Sequence, residues 1–393
     1  MNGILNVCKE QRYTSHDVVA RLRGICHQKK IGHTGTLDPM ATGVLPVCFG
    51  NATKLCDFLT DQTKTYRAVM LLGQTSDTYD ITGVMSTYPG AGLIESLGEE
   101  QIRDAIASFV PGYDQVPPMY SAKKVGGKKL YELARRGIEI ERAAVHVDIP
   151  SITVDAIDLP RVTFTVTCSK GTYIRSLIHD IGRKLQCGAV MESLVRTAAS
   201  GFFLEDALTL AQIEALAQSG PLGFACSEGT WPTGLGVHFG EDGPFGTESG
   251  VHSGEELVDG EQSGEERLAA HLLPTDRALS MYPAVHALPE ADKLLLNGNL
   301  FGMDMVDIIY KAESGDVVDI NQNNRAREVN ITNSDGDNMR RDNVFCDKPA
   351  GAVNIIQIDD GQICRVYRAG GEFIGLYRFE AASRRFRPYK MFL

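Results

Sequence analysis

VTFTVTCSKGTYIRSLIHDIGRKL, residues 162–185, changes its period half-way along. Residues 162–168 alternate apolar and polar, the pattern of a strand with one buried face. SKGT then turns the chain. Beyond it, Ile174, Leu177, Ile178, Ile181 and Leu185 recur at spacings of three and four, which predicts an amphipathic helix. The same vocabulary extends on both sides. Residues 66–72 alternate as a second strand. Ser15 is placed to cap a helix carrying Val18, Leu22 and Ile25. Ser96 and Glu99 form a candidate capping box ahead of Ile102, Ile106 and Phe109. Thr209 and Gln212 are placed to cap a further helix at Ile213 and Leu216. Strands and helices intersperse with hairpin-like connections, so the expected class is α+β with a mixed or antiparallel sheet. Near the end, ICRVYR, a Gly370-Gly371 turn and FIGLYRF predict a hairpin within a small β-rich domain.

The chain has 393 residues, more than one typical domain, so two domains plus insertions are expected. Residues 1–216 form the patterned first unit. Residues 217–272 are acidic and rich in Gly, Ser and Glu, too poor in apolar side chains to build a core; they predict an insertion and linker. Residues 273–393 form the second unit, with a polar insertion near 311–355. The net charge of −11 argues against a nucleic-acid partner at first sight. Its distribution removes that objection, because residues 1–216 are balanced and the excess acid sits mainly in 217–272. No apolar run is long enough to span a membrane, and the opening MNGILNVCKEQRYTS is not that of a signal peptide. Nine cysteines occur without a CxxC pair, which predicts reduced thiols in the cytoplasm and no zinc site.

Phosphate-loop, dinucleotide, HExxH and GxSxG motifs are all missing from the sequence. The segment that stands out is GHTGTLDPMATGVLPVCFGNATKL, residues 32–55. Glycines at 32, 35, 43 and 50 surround one carboxylate, Asp38, which Pro39 keeps out of helical geometry. By itself GTLDP is also a common turn sequence. Lys123, Lys124, Lys128, Lys129, Arg135, Arg136 and Arg142 cluster against Glu132, Glu139 and Glu141, either as a solvated helix face or as a phosphate-contacting patch.

Residues 32–55 resemble, nearly word for word, the catalytic motif of the TruB-type tRNA pseudouridine-55 synthases of bacteria. The resemblance continues in order through KTYRA (64–68), SDTYDITG (76–83), VPPMYSAKKVGGKKLYELARRGIEIER (116–142) and CSKGTYIRSLIHDIGRKLQCGA (168–189), and covers most of residues 1–205. It implies a pseudouridine synthase-type catalytic domain followed by a PUA-like domain. It implies that a uridine in the T-loop of tRNA is flipped out and isomerised, with Asp38 as nucleophile on C1′ or on the uracil ring. Tyr66 matches the active-site tyrosine, which stacks on the base and in one mechanism takes a proton. Arg175 matches the arginine that pairs with the aspartate. His33 matches the residue that wedges into the T-loop, and Tyr173 and Leu194 match residues lining the base pocket. Lys123, Lys124, Lys128 and Lys129 become candidate RNA contacts. An isomerisation needs no cofactor, metal, obligatory protein partner or guide RNA. The family's opening Asp-Lys-Pro reads Val-Cys-Lys-Glu here, with Lys9 kept and no proline. Two other classes stay open: an idle RNA-binding protein that keeps the fold, and an RNA N-glycosidase that breaks the same first bond.

Overall fold

The alternation of residues 162–168 belongs to a strand, Arg161–Cys168, whose Val162, Phe164, Val166 and Cys168 are buried. A computed structural model describes residues 1–60, 62–218, 263–310, 317–319 and 358–393. In the first unit the main strands are β1 (Gly3–Lys9), β2 (Ile31–His33), β3 (Thr42–Phe49), β4 (Lys64–Leu72), β5 (Ser151–Asp158), β6 (Arg161–Cys168) and β7 (Ala189–Ala199). They form a mixed sheet in the order β1-β3-β7-β4-β6-β5, with β2 on the edge of β3. Neighbours are antiparallel except β3 and β7, which run parallel. The expected α+β class with a mixed sheet is what the chain adopts.

Strand β4 lies near the middle. Its residues alternate in burial without a break, so Lys64, Tyr66, Ala68, Met70 and Leu72 all face one side. Helix α3 (Ile174–Lys184) covers that side, burying Ile174, Leu177, Ile178 and Ile181 in the same core as Tyr66, Phe164 and Leu194. The helix α2 (Glu99–Ala107) adds Ile102 and Ile106 to it. A second core lies around β1 and β3, where α1 (Ser15–Ile25) packs Val18, Val19 and Leu22.

Two helix caps differ from expectation. Thr14, not Ser15, caps α1: its hydroxyl accepts from the Asp17 amide at 3.1 Å, and the Asp17 carboxylate accepts from the Thr14 amide at 2.8 Å. Ser15 is buried, and its hydroxyl turns away to accept from the Leu37 amide. For α2 the cap is Gly98, whose amide donates to Gln101. Ser96 instead ends a preceding turn and bonds the Leu93 carbonyl. The Thr209–Gln212 box forms as expected at the start of α4 (Leu210–Ala217).

The acidic stretch 217–272 and the polar insertion near 311–355 fall largely outside the described residues. The end of the first stretch is structured, however. Ser263 caps a helix, α5 (Gly264–Ala269), which lies against α4. Leu268 and Leu272 enter the α1–β1–β3 core, and Leu273 bridges to Ile4 of β1. Residues 263–273 thus pack with the first unit. The second unit is a sheet in which Ile363–Tyr367, Phe373–Glu380 and Arg385–Met391 run antiparallel in succession, the first pair being the expected hairpin. Ala284–Ala287 pairs parallel to Ile363–Tyr367. Phe301, Tyr377, Phe379 and Phe386 fill its core. Among the described residues, no helix is long and apolar enough to cross a membrane.

Leu268 is 1% exposed, so Leu268→Ala should destabilise the chain by about 2–5 kcal/mol, the usual cost of a buried leucine. Excising residues 241–260, whose composition reads as an insertion, should shift urea unfolding by less than about 1 kcal/mol, because the cost of closing such a segment varies only as the logarithm of its length. Chemical denaturation of both variants checks the contrast; equal losses would refute it.

Candidate active site

Residues 34–41, within the glycine-bearing stretch 32–55, join β2 to β3 as a loop that is fastened at several points. The Thr34 amide donates to the Pro46 carbonyl at 3.1 Å, and the Leu37 amide donates to the Ser15 hydroxyl at 2.9 Å. The Pro39 carbonyl accepts from the Arg12 amide at 2.7 Å and from the Lys9 ammonium at 3.2 Å. Lys9 is fully buried, and its remaining bonds go to the carbonyls of Tyr13 and Glu10. Burial pulls its pKa down to about 8, and the nearby Asp38 carboxylate works against that fall. The lysine therefore ties the loop to the first strand, an arrangement that needs no proline beside it. Gly43 closes the loop at φ +101°, where a Cβ would lie 2.3 Å from the Arg196 carbonyl oxygen. Only glycine fits there.

Asp38 projects from this loop over the end of α3. Arg175, in the first turn of that helix, holds it: Nε lies 2.9 Å from the Asp38 carboxylate. The Arg175 side chain keeps only 7% of its surface exposed, against 39% for Asp38. The other guanidinium nitrogens are also spoken for. Nη1 donates to the Thr78 carbonyl at 3.1 Å and lies 3.6 Å from the Asp80 carboxylate, and Nη2 donates to the Tyr120 carbonyl at 3.0 Å. Asp80 is itself fixed by the Thr82 amide and by the hydroxyls of Thr78 and Thr82. The cation near the helix N-terminus opposes the dipole there, and two carboxylates and two carbonyls compensate it.

A cleft of about 790 Å³ opens at this point. Asp38, Tyr66, Tyr173, Arg175 and Leu194 all line it, so five of the residues singled out in the sequence converge. Lys64, Asp80, Tyr120 and Tyr131 line it as well. Tyr66 is buried at 8% exposure. Burial pushes its phenol pKa up, and the Arg196 guanidinium pulls it back down. Tyr173 starts α3, and its peptide is clamped by one buried side chain: Gln115 accepts from the Tyr173 amide at 2.8 Å and donates to its carbonyl at 3.1 Å. His33 lies at the end of β2, outside the cleft lining. Its Nδ1 accepts from the Gly35 amide at 3.3 Å, and its ring meets His16 edge-on at 5.7 Å. Burial, with His16 and Arg196 nearby, lowers its pKa. Lys123, Lys128 and Lys129 are not in the cleft lining. Lys124–Val125 pairs with Lys128–Lys129 in a short hairpin, and Ser121, Ala122, Tyr131 and Arg135 beside it form the rim. A hairpin followed by a short helix (Leu130–Ala134) replaces the single helix face that the charge spacing allowed.

Asp80, Gln115 and Arg196 were missed from sequence. Asp80 stands in SDTYDITG beside a second aspartate, Asp77, which merely bonds the Val84 amide and Tyr120. Nothing in the spacing distinguishes the two. Arg196 left a signal: it is the one cation in the mostly apolar AVMESLVRTAA of β7.

Residues 23–174 match the family described as TruB family pseudouridylate synthase (N terminal domain), and residues 175–220 match the tRNA pseudouridylate synthase B C-terminal domain. The tRNA pseudouridine synthase B of Lachnoclostridium phytofermentans is 37% identical over an alignment that spans both chains in full. That of Alkaliphilus oremlandii is 51% identical over 55% of this chain and 71% of its own. The chain belongs to the TruB family. Among solved structures, one of a Cbf5-Nop10-Gar1 complex is similar with a TM-score of 0.58 at 21% identity, covering all of this chain and 85% of that one. At that identity the likeness concerns the fold, including the β-rich C-terminal unit.

Lys9→Met should leave the fold cooperative but slow the family reaction by about 10²-fold, since it frees the Pro39 carbonyl and lets the Asp38 loop shift. Single-turnover rates and a thermal melt check this. A rate within twofold of wild type would show that Ser15 and Arg12 suffice.

Proposed function

We propose that the chain isomerises uridine to pseudouridine at position 55 in the T-loop of tRNA, with Asp38 as the nucleophile, Arg175 holding it and Tyr66 beneath the base. The observation that carries this is the Arg175–Asp38 ion pair at 2.9 Å on the floor of a cleft. The carboxylate is half-open and the arginine closed, so the arginine orients the acid without competing for the substrate. About 790 Å³ is ample for one nucleotide taken out of its stack, and Tyr66 and Leu194 offer it apolar surface. Turnover breaks the N1–C1′ bond, rotates the uracil and rejoins it through C5. Asp38 attacks either C1′ or the ring; a carboxylate can do either. Loss of the C5 proton then restores aromaticity, and Tyr66 is the group under the base that can take it.

Base flipping leaves a gap in the T-loop. His33, just outside the cleft on a fastened strand end, would fill it. Its lowered pKa favours a neutral ring at pH 7, which stacks at a smaller desolvation cost than an imidazolium. The hairpin lysines on the rim would meet phosphates of the T-arm and set the register of the loop over the cleft. A single isomerisation of one substrate calls for no cofactor, metal or guide RNA, and the cytoplasm is where its tRNA substrate is.

Asp38→Asn should abolish turnover while tRNA affinity stays within a few-fold, because affinity comes mainly from phosphate contacts. Mass spectrometry of T-arm RNA after carbodiimide tagging reads the outcome. Pseudouridine from wild type and none from the variant is the expected result. Free uracil would make the protein an N-glycosidase, and no product from wild type an RNA-binding relative.

Replacing Lys123, Lys124, Lys128 and Lys129 together by alanine should weaken tRNA binding and flatten its salt dependence. Each lost phosphate contact reduces the slope of log affinity against log salt by about 0.7–0.9, so the change is bounded near 3. An unchanged slope would relegate the hairpin to a solvated face and direct attention to Arg183, Lys184 and the C-terminal arginines.

A further inference from the structure

Behind Tyr66 sits an arginine for which the reaction described above has no task. Arg196 of β7 lies directly opposite Tyr66 of β4 in an antiparallel ladder, so both side chains share a face of the sheet. The ladder breaks in a bulge between Arg196 and Ala198, a device that re-aims a strand side chain. Arg196 is 1% exposed, among the largest fully buried side chains of the protein. Its Nε donates to the Val44 carbonyl at 2.6 Å and its Nη2 to the Gly35 carbonyl at 3.5 Å. Those two carbonyls stand at opposite ends of the Asp38 loop. Its Nη1 is buried and, among the described residues, has no hydrogen-bond acceptor in good geometry.

An unpaired buried guanidinium N–H is costly to keep. A packing role at this position would be filled better by an apolar side chain such as those of Leu194 and Val195 in the same strand. The cost is repaid if an acceptor becomes negative during the reaction, and the group against this guanidinium is the Tyr66 hydroxyl.

We propose that Arg196 is a positioning residue for pseudouridine formation, orienting the Tyr66 hydroxyl from behind and stabilising negative charge on its oxygen. The inference rests on the function proposed above. When the phenolic O–H breaks, its proton passes to water and the electron pair stays on the oxygen, where an Arg196 N–H becomes its donor. That oxygen then accepts the proton leaving uracil C5. The other groups facing Tyr66 cannot substitute. Asp38, from the loop, repels the phenolate, and Cys168, from β6, is a thiol that burial pushes up to about 11. Lys64, two residues along the same strand, is engaged with the carbonyls of Thr60 and Gln62.

The sign of the pH effect follows. Arg196 lowers the phenol's pKa against burial, so removing the cation moves the rising limb of the rate to higher pH. The test is single-turnover pseudouridine formation on T-arm RNA between about pH 6 and 9.5, with wild type, Arg196→Gln, Arg196→Lys, Tyr66→Phe and the Tyr66→Phe/Arg196→Gln double variant. Arg196→Gln should lose at least about tenfold in rate at pH 7 with RNA affinity within about threefold. Its rising limb should move to higher pH, and Arg196→Lys should recover part of the rate. In the Tyr66→Phe background the same substitution should cost less than about twofold, because the two residues act as one unit. Equal losses in both backgrounds with an unmoved limb would reduce Arg196 to a packing role. If Arg196→Gln does not fold, the Lys variant carries the same cycle against Tyr66→Phe, with the same two outcomes. A wild type that forms no pseudouridine would overturn the proposed function itself; an active wild type with additive losses would overturn the role of Arg196 alone.

Discussion

A guanidinium cannot be buried alone. Arg175 sits 7% exposed at the start of its helix, and each of its donors must find an acceptor or the fold bears a large desolvation cost. The acceptors come from three separate segments. The 34–41 loop supplies Asp38, the 76–83 turn supplies Asp80 and the Thr78 carbonyl, and the segment before the lysine hairpin supplies the Tyr120 carbonyl. One buried cation thus gathers the walls of the cleft, and satisfying it orients Asp38, the more open of its two carboxylates, toward the cleft.

A second network makes that orientation durable. Lys9, Ser15 and the Arg12 amide hold the Asp38 loop from the side of β1 and α1, while Arg196 holds its two ends from the side of β7. Gln115 fixes the peptide at which α3 begins, one residue before the helix proper and two before Arg175. These groups are polar, buried and distant from one another in sequence. Their common effect is to take freedom from Asp38 and its neighbours, which in the reaction proposed above is how positioned side chains lower an activation barrier.

The second unit and the stretch around 263–273 show how far packing departs from composition. Residues 217–272 read as one acidic insertion, since Gly, Ser and Glu dominate them. Yet Ser263 caps a helix, and Leu268 and Leu272 reach into the core that α1 and β1 begin. Two leucines at the end of a polar stretch carry little weight in an average, but burial is decided residue by residue, and an apolar side chain beside an unfilled core is drawn into it.

Much was already determined by the sequence itself. Period-two alternation in 66–72 and 162–168 dictates strands with one buried face, the stripe from Ile174 to Leu185 dictates a helix that covers it, and the glycines about Asp38 dictate a loop that shows one acid. These are local consequences of side-chain spacing and backbone freedom, so they can be read from neighbouring residues. Asp38 was legible because it stands in such a local pattern, whereas Tyr66 and Arg175 were marked only by the resemblance to the TruB-type synthases. What only the tertiary structure decided is which polar residues meet: that Asp80 rather than Asp77 shares Arg175, that Thr14 rather than Ser15 caps α1 because Ser15 is drawn to Leu37, and that Arg196 faces Tyr66 across a ladder. Each depends on strands and loops far apart in the chain being brought side by side, and sequence spacing carries no measure of that distance.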